Sequence, residues 1–165
     1  MKNDLRLPNH INGGGESTTP TNKQYKTKQD SKRWGELGEL AFVMKSTAVG
    51  ITASRPFGDR KPYDFLVEAG RRLFRVQVKA VFTAQKEHRG YSIATSQHRL
   101  RGRATYTSEE IDFIAAYVAP YDAWYLIPVD AVGTRKFVRL YPNGIKKQGA
   151  GLYEHYREAW HLLKS

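Results

Sequence analysis

The strongest constraint on the fold is the alternation of apolar and polar side chains in residues 72–82. The apolar positions are Phe74, Val76, Val78 and Ala80, and the polar positions between them are Arg75, Gln77 and Lys79. Because successive side chains of a strand point to opposite faces, the pattern predicts a strand with one face in the core. Residues 63–69 predict a second strand, and the turn at Ala69-Gly70-Arg71 is short enough to join the two as a hairpin.

This hairpin brings three polar residues to one side. Gln77 and Lys79 lie one pleat repeat (about 6.5 Å) apart on the same face, and pairing of the strands lets Asp64 face them. A divalent cation held by carboxylate and amide oxygens can activate water against a phosphodiester. Mg²⁺ prefers oxygen ligands and keeps several waters, so one or two protein carboxylates are enough.

We therefore interpret Asp64 as a metal ligand, joined by the side-chain oxygen of Gln77 and the backbone carbonyl of Val78. Lys79 either orients the attacking water or stabilises charge on the phosphate. A purely structural interpretation stays open at this stage. Asp64 would then be a turn residue, and the polar stripe would be a solvated face.

The order of predicted elements favours an α/β or α+β fold with a mixed central sheet flanked by helices. Apolar residues at helical spacing predict a first helix from about residue 32 to 48. Further strands are expected near Ile51 and at 90–95, 111–119, 123–128 and 136–141. A final amphipathic helix is expected to carry Leu152, Tyr156, Ala159, Trp160 and Leu163 on one face. Residues 1–31 read as a disordered basic tail, and 32–165 as one domain.

Charge favours a polyanionic partner. The 165 residues carry a net charge of +11, and contacts between Lys or Arg and phosphate release condensed counterions. Two basic segments are candidates for DNA contact, with a weaker one at Lys146 and Lys147. They comprise Arg55, Arg60 and Lys61 before Asp64, and His98, Arg99, Arg101 and Arg103 with Tyr106 for stacking or hydrogen bonding. For the segment with His98, Arg99, Arg101 and Arg103, the alternative of a solvated basic loop remains open.

Several classes of protein are excluded or disfavoured. The chain has no cysteine, which excludes thiol nucleophiles, zinc–thiolate fingers and a disulfide scaffold. The spacing of His88 and His98 matches no metal-binding motif. We find no apolar run that would span a bilayer and no secretory signal, so a cytoplasmic protein without a membrane partner is expected.

Three short segments together resemble the PD-(D/E)XK nuclease superfamily. They are Gly35-Glu36-Leu37-Gly38-Glu39, Pro62-Tyr63-Asp64 and Gln77-Val78-Lys79. The resemblance covers about residues 32–128 and is strongest to bacterial group I intron homing endonucleases and to nucleases similar to Holliday-junction resolvases. It implies a restriction-endonuclease-like core and a metal-dependent endodeoxyribonuclease that uses Mg²⁺, with Mn²⁺ as a substitute.

The resemblance also implies site residues. Asp64, Gln77 and Lys79 would be catalytic, and a glutamate of the first helix, Glu39 or alternatively Glu36, would complete the metal site. Both glutamates also suit a plain role as first-turn acids of a helix. Gln77 departs from the usual acidic residue, but the intron endonuclease subgroup uses glutamine there as well.

The expected activity is hydrolysis of double-stranded DNA. The alternatives are a junction-resolving, restriction or repair nuclease, and a catalytically silent DNA-binding module. Cutting both strands of a duplex requires two active sites, so we expect a homodimer or homotetramer.

Overall fold

A computed structural model describes residues 28–58, 61–85, 90–100, 102–144 and 151–164. Its helices are α1 (Lys28–Ala48) and the single turn α2 (Val129–Val132). Its strands are β1 (Thr52–Ser54), β2 (Phe65–Ala69), β3 (Arg72–Val81), β4 (Tyr91–Ala94), β5 (Ser96–Arg99), β6 (Gly102–Thr105), β7 (Phe113–Val118), β8 (Ala123–Pro128) and β9 (Phe137–Leu140). Short 3-10 turns lie at Ala119–Tyr121, Glu154–Tyr156 and Trp160–Leu163. Residues 1–27 of the predicted tail lie outside the described residues.

The central sheet has five strands in the order β1-β2-β3-β7-β8. β3 and β7 are parallel, and the other neighbours are antiparallel, so the predicted mixed sheet is confirmed. The β2–β3 hairpin is also confirmed, with Phe65 opposite Val76 and Ala69 opposite Arg72. β3 therefore lies in the middle of the sheet, where its backbone is hydrogen-bonded on both sides.

Helix α1 packs closely against one face of the sheet. A Cβ atom added at Gly38 would lie only 2.7 Å from the Cβ of Ala80 in β3, so glycine permits this approach. One turn later, Phe42 is fully buried, with ring centroids 5.1 Å from Phe65 and 5.7 Å from Trp124. This packing fixes the helix over β3 and the start of β2.

The opposite face of the sheet is covered by strands rather than by a long helix. The antiparallel pair β4–β9 packs there with α2, around a core that includes Ile93, Ile114 and Tyr125. The polar face of β3 is therefore not a solvated surface, and Gln77 is only 8% exposed. α1 lies on one face of the sheet and the single turn α2 on the other, beside the β4–β9 pair, so the predicted flanking of the sheet by helices is confirmed.

The predicted C-terminal amphipathic helix is wrong. Two separate 3-10 turns take its place, because Glu158 between them adopts a left-handed conformation with φ of 50°. Its backbone N–H donates to the carbonyl of Trp124, and its carboxylate accepts from the backbone N–H of Trp124, both at 2.8 Å. Trp160 and Leu163 are buried as predicted, whereas Leu152 is exposed.

Two smaller differences concern a helix boundary and a loop. α1 begins at Lys28, four residues earlier than predicted. The segment expected to be a basic loop contains the β5–β6 hairpin, with Ser96 opposite Thr105. No helix among the described residues is long and apolar enough to cross a membrane.

Candidate active site

Asp64 is held against β3 by hydrogen bonds in both directions. Its backbone N–H donates to the carbonyl of Val76 at 2.9 Å, and its Oδ2 accepts from the backbone N–H of Val78 at 2.8 Å. The same Oδ2 accepts from Nε2 of Gln77 at 2.5 Å. The hairpin thus joins Asp64 and Gln77 directly, as the alternating pattern predicted.

The amide group of Gln77 lies between two oxygen atoms. Its Nε2 donates to Asp64 Oδ2 and, at 3.3 Å, to the carbonyl oxygen of Val78. Both oxygens belong to the ligand set predicted from the sequence. An amide can present either its nitrogen or its oxygen by rotation of the terminal group. Gln77 can therefore bridge the two oxygens itself or offer a third oxygen beside them.

Lys79 lies beneath the same site in a confined position. Its Nζ is 5.6 Å from the ring centroid of Tyr106. Burial lowers the pKa of Lys79, and the nearby carboxylates of Asp64 and Glu39 oppose that shift. Burial also raises the pKa of Asp64, against the hydrogen bond from Val78 and the charge of Lys79. A cation and a carboxylate thus share a poorly solvated space, where their interaction is stronger than in water.

Glu39 reaches the site from α1. Burial raises the pKa of its carboxyl group, and the neighbouring charge of Asp64 raises it further. Nη2 of Arg55 lies 2.8 Å from Glu39 Oε2, an ion pair whose direction does not meet hydrogen-bond geometry. Glu39 Oε2 is therefore buried without a hydrogen-bond donor among the described residues. The carboxylate of Glu36 instead forms an ion pair with Lys32 of the same helix, with 3.9 Å between Glu36 Oε1 and Lys32 Nζ.

A cleft of about 600 Å³ opens in front of these carboxylates. It is lined by Glu39, Arg55, Pro56, Phe57, Gly58, Lys61, Tyr63 and Asp64. Two cations, Arg55 and Lys61, therefore stand at the same opening as two carboxylates. Such a mixture suits a ligand that carries negative charge together with a cation.

The structure separates the predicted DNA contacts into three groups. Arg55 and Lys61 line the cleft, and His98 is exposed on β5 opposite Arg103. Arg99 forms an ion pair with Glu110, and the guanidinium carbon of Arg103 lies 5.2 Å from the ring centroid of Phe137. Arg60, His88, Arg101, Lys146 and Lys147 lie outside the described residues.

Tyr106 does not lie on the surface, which contradicts its predicted role in stacking. It is 6% exposed and belongs to the core on the β4–β9 side of the sheet. Burial raises the pKa of Tyr106 to about 12, so the phenol stays protonated at neutral pH. The ring of Tyr106 instead packs next to the ammonium group of Lys79.

One interaction between β3 and the start of β7 was not predicted from the sequence. It joins Arg75 to Asp112, and we call it the brace. Oδ2 of Asp112 accepts from the backbone N–H of Arg75 at 2.7 Å and from its Nε at 3.0 Å. Nη2 of Arg75 donates to Oδ1 of Asp112 at 2.8 Å and to the carbonyl of Ser108 at 2.7 Å. Burial alone would raise the pKa of Asp112, but the bonds from Arg75 hold it below its ordinary value. The two residues are 37 positions apart, so no local pattern pairs them.

The family model described as PD-(D/E)XK endonuclease matches residues 29–163. The chain belongs to this family. Among solved structures, it is similar to the bacterial homing endonuclease I-Ssp6803I, with 29% identity and a TM-score of 0.68 over 81% of this chain and 92% of that one. It is also similar to Hjc, a Holliday junction resolvase from the archaeal hyperthermophile Archaeoglobus fulgidus, with 16% identity and a TM-score of 0.49 over 79% of this chain and 97% of that one. No curated protein sequence matches it significantly.

Nucleases of the PD-(D/E)XK family generally use divalent metal ions. Among the residues that the structure describes, no group of three or more His, Cys, Asp or Glu side chains could hold one. The two carboxylates of Asp64 and Glu39 would therefore need the amide oxygen of Gln77 and the carbonyl of Val78. These are all oxygen donors, which suits a hard cation. Glu39 Oε2, which is buried and accepts no hydrogen bond from the described residues, also fits a role as a metal ligand.

Proposed function

We propose that this PD-(D/E)XK endonuclease hydrolyses phosphodiester bonds of double-stranded DNA with Mg²⁺, for which Mn²⁺ can substitute. The observation that carries the proposal is the convergence of Asp64 and Glu39 on one cleft, with Gln77 bonded to Asp64 and Lys79 near both carboxylates. The resemblance to a homing endonuclease supports the choice of duplex DNA as substrate.

The carboxylates of Asp64 and Glu39, the amide oxygen of Gln77 and the carbonyl of Val78 would hold the metal ion. When bound, the ion supplies a polarised water and neutralises charge on the phosphate. The protein itself fixes its ligands before the substrate arrives. Asp64 is held by the backbone N–H of Val78, and Glu39 is positioned by the packing of α1 on β3.

Lys79 acts on the attacking water or on the phosphate oxygens. Its burial against Tyr106 limits where Nζ can move, so the ammonium is oriented before the reaction. Preorganised charge of this kind stabilises a transition state more than a mobile surface lysine does. Lys61, which is exposed at the cleft, and Arg55 attract the phosphate backbone.

Plasmid cleavage with Mg²⁺ tests this assignment. Asp64→Asn, Lys79→Ala and Glu39→Gln should each lower the cleavage rate by about 100-fold or more. Glu36→Gln is the matched control, because Glu36 lies on the same helix but outside the cleft. It should cut like the wild type. If the three site variants cut as well as Glu36→Gln, the site lies elsewhere.

Calorimetric titration with Mg²⁺ and Mn²⁺ distinguishes a nuclease from a silent DNA-binding module. We expect saturable binding to the wild type and to Glu36→Gln, and much weaker binding to Asp64→Asn. An absence of binding to the folded wild type would favour the silent module, since the ligand set would then be incomplete.

A further inference from the structure

Arg55 lies directly at the proposed metal site, although it is not one of the ligands. Its guanidinium Nη2 is 2.8 Å from Glu39 Oε2, the carboxylate oxygen that accepts no hydrogen bond from the described residues. Burial raises the pKa of the carboxyl groups of Glu39 and Asp64, and the positive charge of Arg55 opposes that rise in both. One guanidinium therefore acts on both of the carboxylates that would hold the metal ion.

The position of Arg55 obstructs one ligand of that site. Glu39 Oε2 is buried, so a cation reaches this oxygen only after neighbouring atoms withdraw. A Mg²⁺ ion bound to the same oxygen would lie at most about 5 Å from the guanidinium nitrogen, given a metal–oxygen distance of about 2.1 Å. Two cations repel each other at that distance, and the low solvation of the site strengthens the repulsion. Arg55 and the metal ion therefore compete for one carboxylate.

The structure gives the side chain of Arg55 room to leave Glu39. The ion pair borders two cavities, because both residues line the active-site cleft and also a second cavity of about 400 Å³. The side chain of Arg55 is 68% exposed, whereas that of Glu39 is 20% exposed. Pro56 restricts the backbone of the residue before it to extended conformations. Separation of the pair therefore needs rotation of the Arg55 side chain and no movement of β1.

We propose that Arg55 keeps the metal site closed by pairing with Glu39, and that it transfers to a DNA phosphate when the metal ion takes that carboxylate. We call this transfer the Arg55 exchange. It rests on the proposed function, because it requires both the metal ion and the DNA. A guanidinium binds carboxylate and phosphate oxygens through the same pair of parallel hydrogen bonds, so a phosphate that enters the cleft can replace Glu39 as the partner of Arg55.

The Arg55 exchange couples metal binding to DNA binding. Without the metal ion, Glu39 neutralises Arg55 and keeps its guanidinium from the phosphate backbone. With the metal ion bound, the guanidinium is released, so each ligand strengthens the binding of the other by the same factor. Lys61 lines the same cleft but lies outside this ion pair. Its attraction for phosphate would therefore not depend on the metal ion.

A permanent ion pair is the alternative to the Arg55 exchange. Arg55 would then hold the carboxylate of Glu39 in place for the metal ion and would stay there throughout the reaction. The two interpretations predict opposite effects on metal affinity. Removing a competitor tightens metal binding, whereas removing a support weakens it.

Calorimetric titration with Mg²⁺ in the absence of DNA distinguishes these interpretations. Arg55→Gln should bind Mg²⁺ about threefold to fivefold more tightly than the wild type, which is the size expected for a partly exposed ion pair. Lys61→Gln is the matched control, because it removes the same charge from the same cleft, and it should change the affinity by less than about twofold. Weaker or unchanged binding by Arg55→Gln, or equal tightening by Lys61→Gln, would overturn the exchange.

Anisotropy of a fluorescent duplex, measured in EDTA and in Mg²⁺ at equal ionic strength, tests the transfer to phosphate. Asp64→Asn, which should bind Mg²⁺ only weakly, gives the effect of the ion on the duplex itself. Relative to that variant, Mg²⁺ should tighten duplex binding by the wild type about fivefold or more. A denaturing gel verifies that the duplex stays intact during the measurement.

The two cations of the cleft should respond differently in this assay. In Arg55→Gln, the gain in duplex affinity on adding Mg²⁺ should be at least about threefold smaller than in the wild type. Lys61→Gln should bind the duplex more weakly in both solutions and should keep the gain of the wild type. A wild-type gain in Arg55→Gln, or an equal loss of the gain in Lys61→Gln, would refute the transfer.

These binding measurements separate the Arg55 exchange from the nuclease assignment, because neither of them depends on cleavage. If the wild type shows the coupling and never cuts DNA, the nuclease assignment fails and the exchange stands. If the wild type cuts DNA with Mg²⁺ and Arg55→Gln shows neither change in affinity, the exchange fails and the nuclease assignment stands. If the folded wild type binds no Mg²⁺, both fail.

Discussion

Replacing Gly38 by alanine tests the close approach of α1 to β3. The added Cβ would lie 2.7 Å from the Cβ of Ala80, whereas carbon atoms in contact prefer about 3.5–4.0 Å. Relief requires the helix to move away from the sheet by about 1 Å. That movement also separates Phe42 from Phe65 and Trp124, whose rings now lie within 6 Å of it.

Two effects of opposite sign set the magnitude for Gly38→Ala. Overpacking of a core contact costs about 1–3 kcal/mol, and the higher helix propensity of alanine offsets about 1 kcal/mol. We expect a net loss of up to about 2 kcal/mol in the free energy of unfolding, measured by urea denaturation. DNA cleavage should also slow, because Glu39 follows Gly38 in α1 and moves away from Asp64 together with the helix.

Gly35→Ala provides the matched comparison in the same helix. No atom lies within 4 Å of a Cβ added at Gly35, so only helix propensity changes. That variant should gain about 0.5–1 kcal/mol. Adding Ala80→Gly to Gly38→Ala should recover part of the loss, since it removes the other half of the clash. Equal stabilisation by Gly38→Ala and Gly35→Ala would refute the close packing.

Three further predictions concern the brace, the core and the metal site. Asp112→Asn should cost about 1–2 kcal/mol at pH 7. The pKa of Asp112 is lowered in the folded state, so its stabilisation is present above the ordinary value of 3.8 and is lost below it. In thermal melts, the difference in Tm between the wild type and Asp112→Asn should therefore become smaller below about pH 4. A difference in Tm that stays constant from pH 7 to 3 would argue against the brace. Phe42→Ala should cost about 3–5 kcal/mol in chemical denaturation, and a loss under 1 kcal/mol would contradict its central position. Gln77→Glu should bind Mg²⁺ on the order of tenfold more tightly in calorimetry, about 1.4 kcal/mol, because it adds a charge; unchanged affinity would place Gln77 outside the ligand set.

The central hairpin was predictable because its information is local. Alternation over residues 72–82 specifies a strand, and a short turn specifies its partner, so the contact between Asp64 and Gln77 followed from periodicity alone. The same reasoning placed Asp64, Gln77 and Lys79 on one side of the sheet. The mixed sheet followed from the order of strands and helices.

Long-range contacts explain most of the errors. The C-terminal segment has a helical apolar spacing, but the bonds between Glu158 and Trp124 outweigh local helix propensity. Tyr106 looked like a surface residue because it follows three arginines, whereas its ring fills the core beneath Lys79. The spacing of residues along the sequence does not show which distant strand a later segment of the chain will pack against.

The segment around Glu158 has a consequence for aggregation. β8 is the last strand of the central sheet, and an uncovered edge can template pairing with another molecule. Among the described residues, this segment covers the edge through a bridge between Tyr125 and Arg157, the two bonds of Glu158 to Trp124 and a bond from the Tyr125 hydroxyl to Glu154. Detachment of this segment would expose β8 and would also remove Trp160 and Leu163 from the core. Exposure of this edge would therefore accompany loosening of the core, and irreversible precipitation on heating would begin there.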